Sequence, residues 1–326
     1  MRYSPRQFLQ FAAAAVTITL VGLAGNDGWS QTTRTIKIVV PYPPGGGNDV
    51  LARVLAEQIS RAQGPTILIE NRAGAATTIG SDAVARAAPD GNTVMITSSD
   101  LIISAHLRKL NYHPLTSFEP ICNLMTSELV IAVNSASPYR TLADLINAAR
   151  AKPDELTLAS NGPATATHIA FAMLKRAANI EMTYVPYPGT APTLTALLGG
   201  HLTAVLVPYP AMAEHLNSGR LRGLATATRM RSESLPQVPT VAESGYEDYE
   251  VEVWYGLFAP AKTPREMASQ LADWFTAAMQ VPEVRAKLVL QGLYPVGICG
   301  ADFAALLRKD YDDYGRVIRE SNMKAE

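Results

Sequence analysis

Hydrophobic and polar positions along the chain alternate between the strand period and the helix period. Residues 36–40 are apolar apart from one lysine, which predicts a short buried strand, and the apolar residues between 50 and 59 recur at helical spacing. Further strands are predicted over 66–70 and 93–97, with a helix containing Ile79 and Val84 between them. Three strands alternating with helices predict a parallel sheet with right-handed crossovers.

The same alternation restarts after Pro120. Thr141 is predicted to cap one helix of this second array, and His168 marks the entry to another. A strand over 249–257 returns the chain to the first array, and the later helical faces over 267–279 and 303–318 are predicted to cover the first sheet without a new strand. The other strands of the second array are predicted over 129–133, 156–159, 182–186, 204–207 and 224–227.

The chain has 326 residues, which exceeds the usual size of a single hydrophobic core. We therefore predict an α/β fold with two lobes, each a mainly parallel sheet flanked by helices, and a ligand cleft between them. Residues 31–128 and 254–326 are assigned to lobe 1, and residues 129–253 to lobe 2. The two lobes share an architecture but no short repeat.

A glycine-rich loop joins the first strand to the first helix. Pro43 and Pro44 extend the loop, and Gly45 to Gly47 allow positive φ, so backbone N–H groups can converge on an anion beside the helix N-terminus. Asp49 is either the N-cap of the helix or a residue of the site. The loop has neither GxxxxGK[ST] nor GxGxxG spacing, which disfavours nucleotide binding.

Other small polar loops follow the remaining strands. Gly74 to Thr78 and Ser98 to Asp100 fall at the same sheet edge as the first loop, where open α/β sheets bind ligands. In the second array, the loop from Ser160 runs into a helix entry where Thr165 and Thr167 either cap the helix or bind an oxyanion.

Three ring-bearing residues lie near these loops. His168 is expected to be packed or hydrogen-bonded to backbone rather than catalytic, because no acidic residue is placed to orient it. Tyr187 and Tyr209 lie at predicted strand ends, where each either walls a site or packs at the sheet edge.

Charge and the N-terminus indicate the compartment. The net charge of −1 argues against nucleic acid or an anionic membrane surface as partner. Arg2 and Arg6 precede a run over 8–24 without charged residues, which is typical of a secretory signal. We assign residues 1–30 to this signal, with cleavage after Ala24 or Ser30. A membrane anchor is the alternative, but the run is short of the roughly 20 residues of a span.

Little in the sequence indicates chemistry. Cys122 and Cys299 either pair, as an exported chain permits, or remain two buried thiols. The five histidines are scattered without metal-ligand spacing, and no GxSxG elbow occurs. We therefore expect no metal, no cofactor and no enzymatic activity.

Six blocks of sequence occur in the order typical of one family. They are PYPPGGGNDVLARVLA, ENRAGAATTIGSDAVARAAPDGNTVMI, NGPATATHIAFAML, VPYPGTAPTLTALLGGHL, SGRLRGLATATRMRSESLPQVPTVAESGYEDYE and WYGLFAPAKTPREM. Over about residues 35–322 the chain resembles the tripartite tricarboxylate transporter solute receptors, also called Bug proteins. The resemblance implies a type II periplasmic binding fold that closes around a small carboxylate. It also implies delivery of that ligand to a membrane permease, by a receptor expected to be monomeric.

The resemblance and the loop pattern together define a predicted site around the ligand carboxylate. Two alternatives share the cleft: an exported enzyme using Asp49 and His168, and a ligand sensor for a membrane signalling partner. The predicted ligand-binding residues are Tyr42, Pro44, Gly45, Gly46, Asp49, Gly74, Ala75, Ala76, Thr78, Ser98, Ser160, Gly162, Thr165, Ala166, Thr167, His168, Tyr187, Gly189, Thr190, Ala191 and Tyr209.

The chain departs from the family pattern at three places. Gly74-Ala75-Ala76-Thr77 stands where the family often reads GAGG, which adds bulk and a hydroxyl near the predicted site. Thr203 stands where many members carry an acid. Tyr209 lies in a segment that commonly contains Phe-Asp, and it is expected to reshape the pocket.

Overall fold

The computed structural model describes residues 34–321 and 323–324. The predicted signal, residues 1–30, lies outside them. The strands of the described part are β1 (Thr35–Val40), β2 (Thr66–Asn71), β3 (Thr93–Ser98), β4 (Phe118–Asn134), β5 (Thr157–Ser160), β6 (Thr183–Pro186), β7 (Ala204–Pro208), β8 (Leu221–Thr226), β9 (Glu252–Pro260) and β10 (Tyr294–Cys299). The helices are α1 (Gly47–Gln63), α2 (Thr78–Ala85), α3 (Asp100–Leu107), α4 (Leu142–Ala151), α5 (Ala166–Ala178), α6 (Thr190–Leu198), α7 (Tyr209–Asn217), α8 (Arg265–Gln280), α9 (Pro282–Leu290) and α10 (Gly300–Glu320).

The first array forms a parallel sheet, as predicted. β1 pairs in parallel with β2 on one side and with β3 on the other. The apolar residues of β1 are buried, and Leu51, Leu55 and Ile59 of α1 form a buried face against this part of the core. The helical spacing of those three side chains is what places one face of α1 on the sheet.

The second array repeats the arrangement. β5 pairs in parallel with β6 and β7. Thr141 caps α4 as predicted, because its side chain accepts from the N–H of Asp144 while the Asp144 carboxylate accepts from the N–H of Thr141. Buried apolar residues of both arrays form one continuous core cluster, which runs from Ile36 to Phe171 and beyond.

Two long antiparallel strands join the arrays. β4 pairs with β9 from Phe118 opposite Pro260 to Glu128 opposite Glu252, and from Leu129 onward it pairs with β7 and β8 instead. The prediction placed the first of these strands at 129–133, eleven residues short at its start. Polar residues such as Asn123 and Thr126 interrupt the apolar pattern there and hide the strand.

The chain contains a strand after β9, contrary to the prediction of helices alone. β10 lies antiparallel on β4, and Cys299 is disulfide-bonded to Cys122, its register partner. Of the two alternatives for the cysteines, the paired one is therefore correct. β10 is largely exposed and contains Pro295 and Gly297, so it lacks the buried apolar alternation by which strands are recognised.

None of the described helices combines the length and the apolar content that crossing a membrane requires. The predicted α/β fold class is confirmed, and the division into two lobes stays a prediction. In addition, antiparallel pairings around β4 and β9 are more extensive than the strand order predicted.

Candidate functional site

A cavity of about 220 Å³ opens where the carboxyl ends of the parallel strands of both arrays meet. Its wall is built mainly from the loops that follow β1, β2, β3, β5 and β6, with Val253 and Tyr255 of β9 contributing from the middle of the sheet. The volume is below the roughly 300–1,000 Å³ that is common for drug-sized ligands, so the cavity suits a small molecule.

Six helices begin at the cavity wall. Their N-terminal residues or N-caps line it: Gly46 for α1, Thr77 for α2, Asp100 for α3, Thr165 for α5, Gly189 for α6 and Pro208 for α7. The first N–H groups of a helix have no partner within the helix, and the helix dipole makes this end positive. The wall is therefore electrostatically suited to an anion.

The loop after β1 is held by its own helix. Gly45 has φ +88°, and its N–H donates to Asp49 Oδ2 at 2.9 Å. Gly47 lies so close to Tyr255 that an added Cβ would be 2.6 Å from the tyrosine hydroxyl. Glycine at position 47 thus lets the start of α1 approach the aromatic ring of β9.

The loop after β2 adopts left-handed backbone through four consecutive residues. The φ angles are +135° at Gly74, +48° at Ala75, +49° at Ala76 and +74° at Thr77. Left-handed conformations cost a non-glycine residue roughly 1 kcal/mol or more. The bulk at Ala76 and Thr77, where the family often has glycine, is therefore accommodated in a strained turn whose residues all line the cavity.

The second array contributes the hydroxyl-rich entry to α5. Thr165 caps the helix, because its side chain accepts from the N–H of His168. The same hydroxyl donates to the carbonyl of Gly162 at 2.7 Å, and Thr167 bonds to the hydroxyl of Thr165 and to Asn161. Thr165 and Thr167 both line the cavity. Thr165 therefore caps the helix and also forms part of the cavity wall.

The structure brings most of the predicted site residues together. Sixteen of them line the cavity: Tyr42, Pro44, Gly45, Gly46, Gly74, Ala75, Ala76, Ser98, Gly162, Thr165, Ala166, Thr167, Tyr187, Gly189, Thr190 and Ala191.

Five predicted residues do not line it: Asp49, Thr78, Ser160, His168 and Tyr209. Asp49 is not the N-cap of α1 either, since Gly46 has that position. The Asp49 carboxylate is turned inward and bonds to Gly45, Arg53 and Asn71. The Thr78 hydroxyl donates to the carbonyl of Ala75 and so closes the strained turn from outside the cavity.

Ser160 and His168 belong to the packing beneath the site. The Ser160 hydroxyl bonds to the Tyr184 hydroxyl at 2.8 Å, and the His168 ring stacks on the Tyr184 ring with centroids 4.2 Å apart. Burial lowers the pKa of His168 to about 4, so the ring is neutral at physiological pH. This position agrees with the prediction that His168 is packed rather than catalytic.

Tyr209 and Thr203 also lie away from the cavity. The Tyr209 ring packs so tightly on Gly292 that a Cβ at Gly292 would be 2.0 Å from a ring carbon, and Pro208 forms the wall in its place. The expectation that Tyr209 reshapes the pocket therefore has no support from its position. Thr203 bonds to the backbone and side chain of Thr157 and joins the starts of β5 and β7.

Two charged residues of the wall were not among the predicted ligand-binding residues, although the loop from Ser98 to Asp100 was predicted to lie at this sheet edge. Asp100 is 3% exposed, and its carboxylate accepts from the N–H of Ala166 at 2.9 Å and from the Tyr42 hydroxyl at 3.1 Å. Burial raises the pKa of Asp100 to about 6. Arg108, at the end of α3, is the one lysine or arginine among the described lining residues. The signal for Asp100 was its place after Ser98 and Ser99 at a strand end, whereas nothing local marks Arg108.

No group of three or more His, Cys, Asp or Glu side chains that could hold a metal ion occurs within 34–321 and 323–324. The lining residues consist mainly of glycine, alanine, proline and hydroxyl-bearing side chains. Such a wall offers a ligand mainly hydrogen bonds and shape.

Comparison with known proteins covers nearly the whole chain. Residues 51–323 match the family model described as the tripartite tricarboxylate transporter family receptor. The protein BugT of Bordetella pertussis is 32% identical over 317 residues, which are 96% of this chain and 97% of that protein.

Two solved structures of similar proteins align with nearly the whole chain. The R. palustris structure with adipate is 30% identical with a TM-score of 0.87, and the alignment covers 90% of this chain and 99% of that one. MatC from Rhodopseudomonas palustris with bound malate is 28% identical with a TM-score of 0.82, covering 88% of this chain and 99% of that one. The fold of the described residues is therefore that of these two proteins.

Proposed function

Since this chain belongs to the tripartite tricarboxylate transporter receptor family, we propose that it captures a small carboxylate in the cavity between its two lobes. Members of the family are periplasmic binding proteins. We place this chain in the periplasm too, as a receptor that delivers its ligand to a membrane permease of the tripartite tricarboxylate type. Two similar proteins hold adipate and malate, which supports a carboxylate as the ligand class.

The observation that carries the proposal is the convergence of six helix N-termini on one cavity. A carboxylate there would accept hydrogen bonds from N–H groups that are already oriented, so little reorganisation would accompany binding. Each such charge-assisted bond contributes on the order of 1.5–3 kcal/mol. A few of them account for micromolar or tighter binding.

We also propose that the ligand closes the two lobes, with boundaries at 31–128 plus 254–326 and at 129–253. The change of pairing partners along β4 supports this division, because the strand leaves β9 after Glu128 and joins β7 and β8 from Leu129. Lining residues come from both sides of that point, including Gly46 before it and Thr165 after it. A ligand that contacts both sides favours the closed state over the open one.

We propose that the protein binds its ligand without converting it. The buried and neutral His168 lies outside the cavity, and Asp49 is committed to the loop after β1. The wall thus offers neither member of the acid–base pair that an exported enzyme was suggested to use. The positions of Asp49 and His168 thus give no support to the enzyme alternative, and the receptor is favoured.

Thermal-shift screening followed by calorimetry tests the proposal. Purified protein is titrated with mono-, di- and amino-carboxylates, and each acid is paired with the amide in which its carboxylates are replaced. We expect at least one acid to bind with a micromolar or lower Kd while its amide does not bind. The recovered ligand should be chemically unchanged. Formation of a product, or equal binding of acid and amide, would contradict the proposal.

A further inference from the structure

The cavity wall holds one carboxylate, that of Asp100, without a cationic partner. Its two oxygens accept from the backbone N–H of Ala166 and from the hydroxyl of Tyr42, at 2.9 and 3.1 Å. Both donors are neutral. No ion pair to Asp100 occurs among residues 34–321 and 323–324.

A buried charge of this kind is costly unless a cation or further hydrogen bonds compensate it. An ionised carboxylate has about four lone-pair positions. Ala166, Tyr42 and the Ser98 hydroxyl fill at most three of them and leave the rest unfilled. Asp100 belongs to the cavity wall, so a ligand is placed to fill them. The group that would compensate the charge best is a cation with N–H donors.

The position of Asp100 also restricts where a ligand carboxylate can lie. Asp100 already occupies the N–H of Ala166 at the start of α5. A second carboxylate at the same helix end would meet the like charge of Asp100 in a poorly solvated site. The ligand carboxylate is therefore directed to the other helix N-termini of the wall, such as those at Gly46 and Gly189.

Arg108 adds a charge of opposite sign to the same wall. Its side chain is half-buried, its Nε is buried without a hydrogen-bond partner, and it forms no ion pair with any residue of the described chain. The cavity thus presents one positive and one negative side chain that do not neutralise each other. A zwitterion is the ligand whose charges complement this wall.

We propose that the ligand is a small amino acid or a related aminocarboxylate, and that Asp100 is the specificity-determining residue that accepts hydrogen bonds from its ammonium group. The inference rests on the proposed function, since the ligand must first occupy this cavity. It narrows the ligand class from carboxylates in general to carboxylates that also carry an ammonium group.

Calorimetric titration with matched acids tests the inference. The pairs differ only in the ammonium group: aspartate and succinate, glutamate and glutarate, alanine and propionate. In the wild-type protein we expect the amino member of at least one pair to bind about tenfold or more tightly than its partner, as a charge-assisted hydrogen bond predicts. In Asp100→Asn this preference should fall below about threefold, mainly through weaker binding of the amino acid.

Asp273→Asn is the matched control. Asp273 is an exposed residue of α8, so this variant should keep the wild-type preference. If Asp100→Asn fails to fold, the inference is decided by the ratio of the two affinities within each pair in the wild-type protein. Equal affinity within every pair, or tighter binding of the acid without the ammonium group in every pair, would overturn the inference while leaving a carboxylate receptor in place. Failure of every acid to bind would overturn both proposals.

Discussion

The backbone N–H of Gly45 donates to the carboxylate of Asp49 at 2.9 Å, four residues along the chain and one helical turn into α1. This bond fastens the glycine loop to the helix whose N-terminus lines the cavity. Arg53 and Asn71 bind the same carboxylate. Asp49 is thus a residue that shapes the loop, although its side chain does not reach the cavity.

Asp49→Asn should therefore loosen the loop. Burial opposes ionisation of Asp49, but the bonds from Arg53, Gly45 and Asn71 hold its pKa below the ordinary value. A lowered carboxyl pKa stabilises the fold above the unfolded-state pKa, and this stability is lost as the pH falls. We expect the variant to lose about 1–2 kcal/mol of unfolding free energy at pH 7, measured by urea denaturation.

Asp82→Asn provides the control for this prediction. Asp82 pairs with Arg86 four residues later at 3.0 Å, as Asp49 does with Arg53, but it holds no loop. The control should change stability by less than about 0.5 kcal/mol. Equal losses in the two variants would show that the bond to Gly45 contributes nothing beyond an ordinary helical ion pair.

Glu128 and Glu252 face each other across β4 and β9, at the place where β4 changes partners. Burial raises the pKa of Glu128 to about 7, a bond from Ser232 opposes the shift, and the charge of Glu252 adds to it. Because the folded state binds this proton more tightly than the unfolded state, Glu128 lowers stability as the pH rises from about 4.5 to 7.

Glu128→Gln should remove this loss. We expect the difference in unfolding free energy between the variant and wild type to shift by about 2–3 kcal/mol in favour of the variant as the pH rises from 4.5 to 8. Glu119→Gln, on the same strand, should leave the wild-type pH profile unchanged. If the unfolding free energy of Glu128→Gln depends on pH just as that of wild type does, Glu128 is not the cause of the loss of stability.

The disulfide between Cys122 and Cys299 ties β10 to β4 across 177 residues of sequence. Cross-linking so long a loop restricts the unfolded chain strongly. The double variant Cys122→Ala/Cys299→Ala should lose about 2–5 kcal/mol in chemical denaturation. Wild-type protein in reductant should have the same unfolding free energy as the variant. If the variant is as stable as oxidised wild-type protein, β10 is held by packing alone.

Thr167→Val should weaken ligand binding without unfolding the protein. The Thr167 side chain lines the cavity and caps nothing, whereas Thr165 caps α5. The Thr167 hydroxyl orders this part of the wall through its bonds to Asn161 and Thr165, so its loss predicts a Kd increase of about tenfold in calorimetry. Thr167→Ser retains the hydroxyl and should bind like wild type. Unchanged affinity in Thr167→Val would remove this hydroxyl from the site.

Local patterns in the sequence predict the elements whose signals are themselves local. The strand–glycine–helix unit at 36–59, the cap at Thr141 and the loops ending β1, β2, β3 and β5 were all found in this way. They converge because parallel strands direct their carboxyl ends to one edge of a sheet. For this reason, most of the cavity wall follows from strand order alone.

The remaining features depend on contacts between distant residues. The bond from Ala166 to Asp100 spans 66 positions, and neither residue has a neighbour in sequence that indicates the pairing. Tyr209 stands at a strand end, as a wall residue would, but the space beside Gly292 receives its ring. Side-chain direction at such positions is set by packing, which a periodic pattern does not encode.

A crystal structure of the protein with the tightest-binding acid of the panel is the most direct test of the account. We predict carboxylate oxygens within about 3.2 Å of backbone N–H groups at the helix N-termini of the cavity, with contacts to the loops before and after Glu128. An acid bound outside the cavity, or touching the loops of one lobe only, would contradict capture between two lobes.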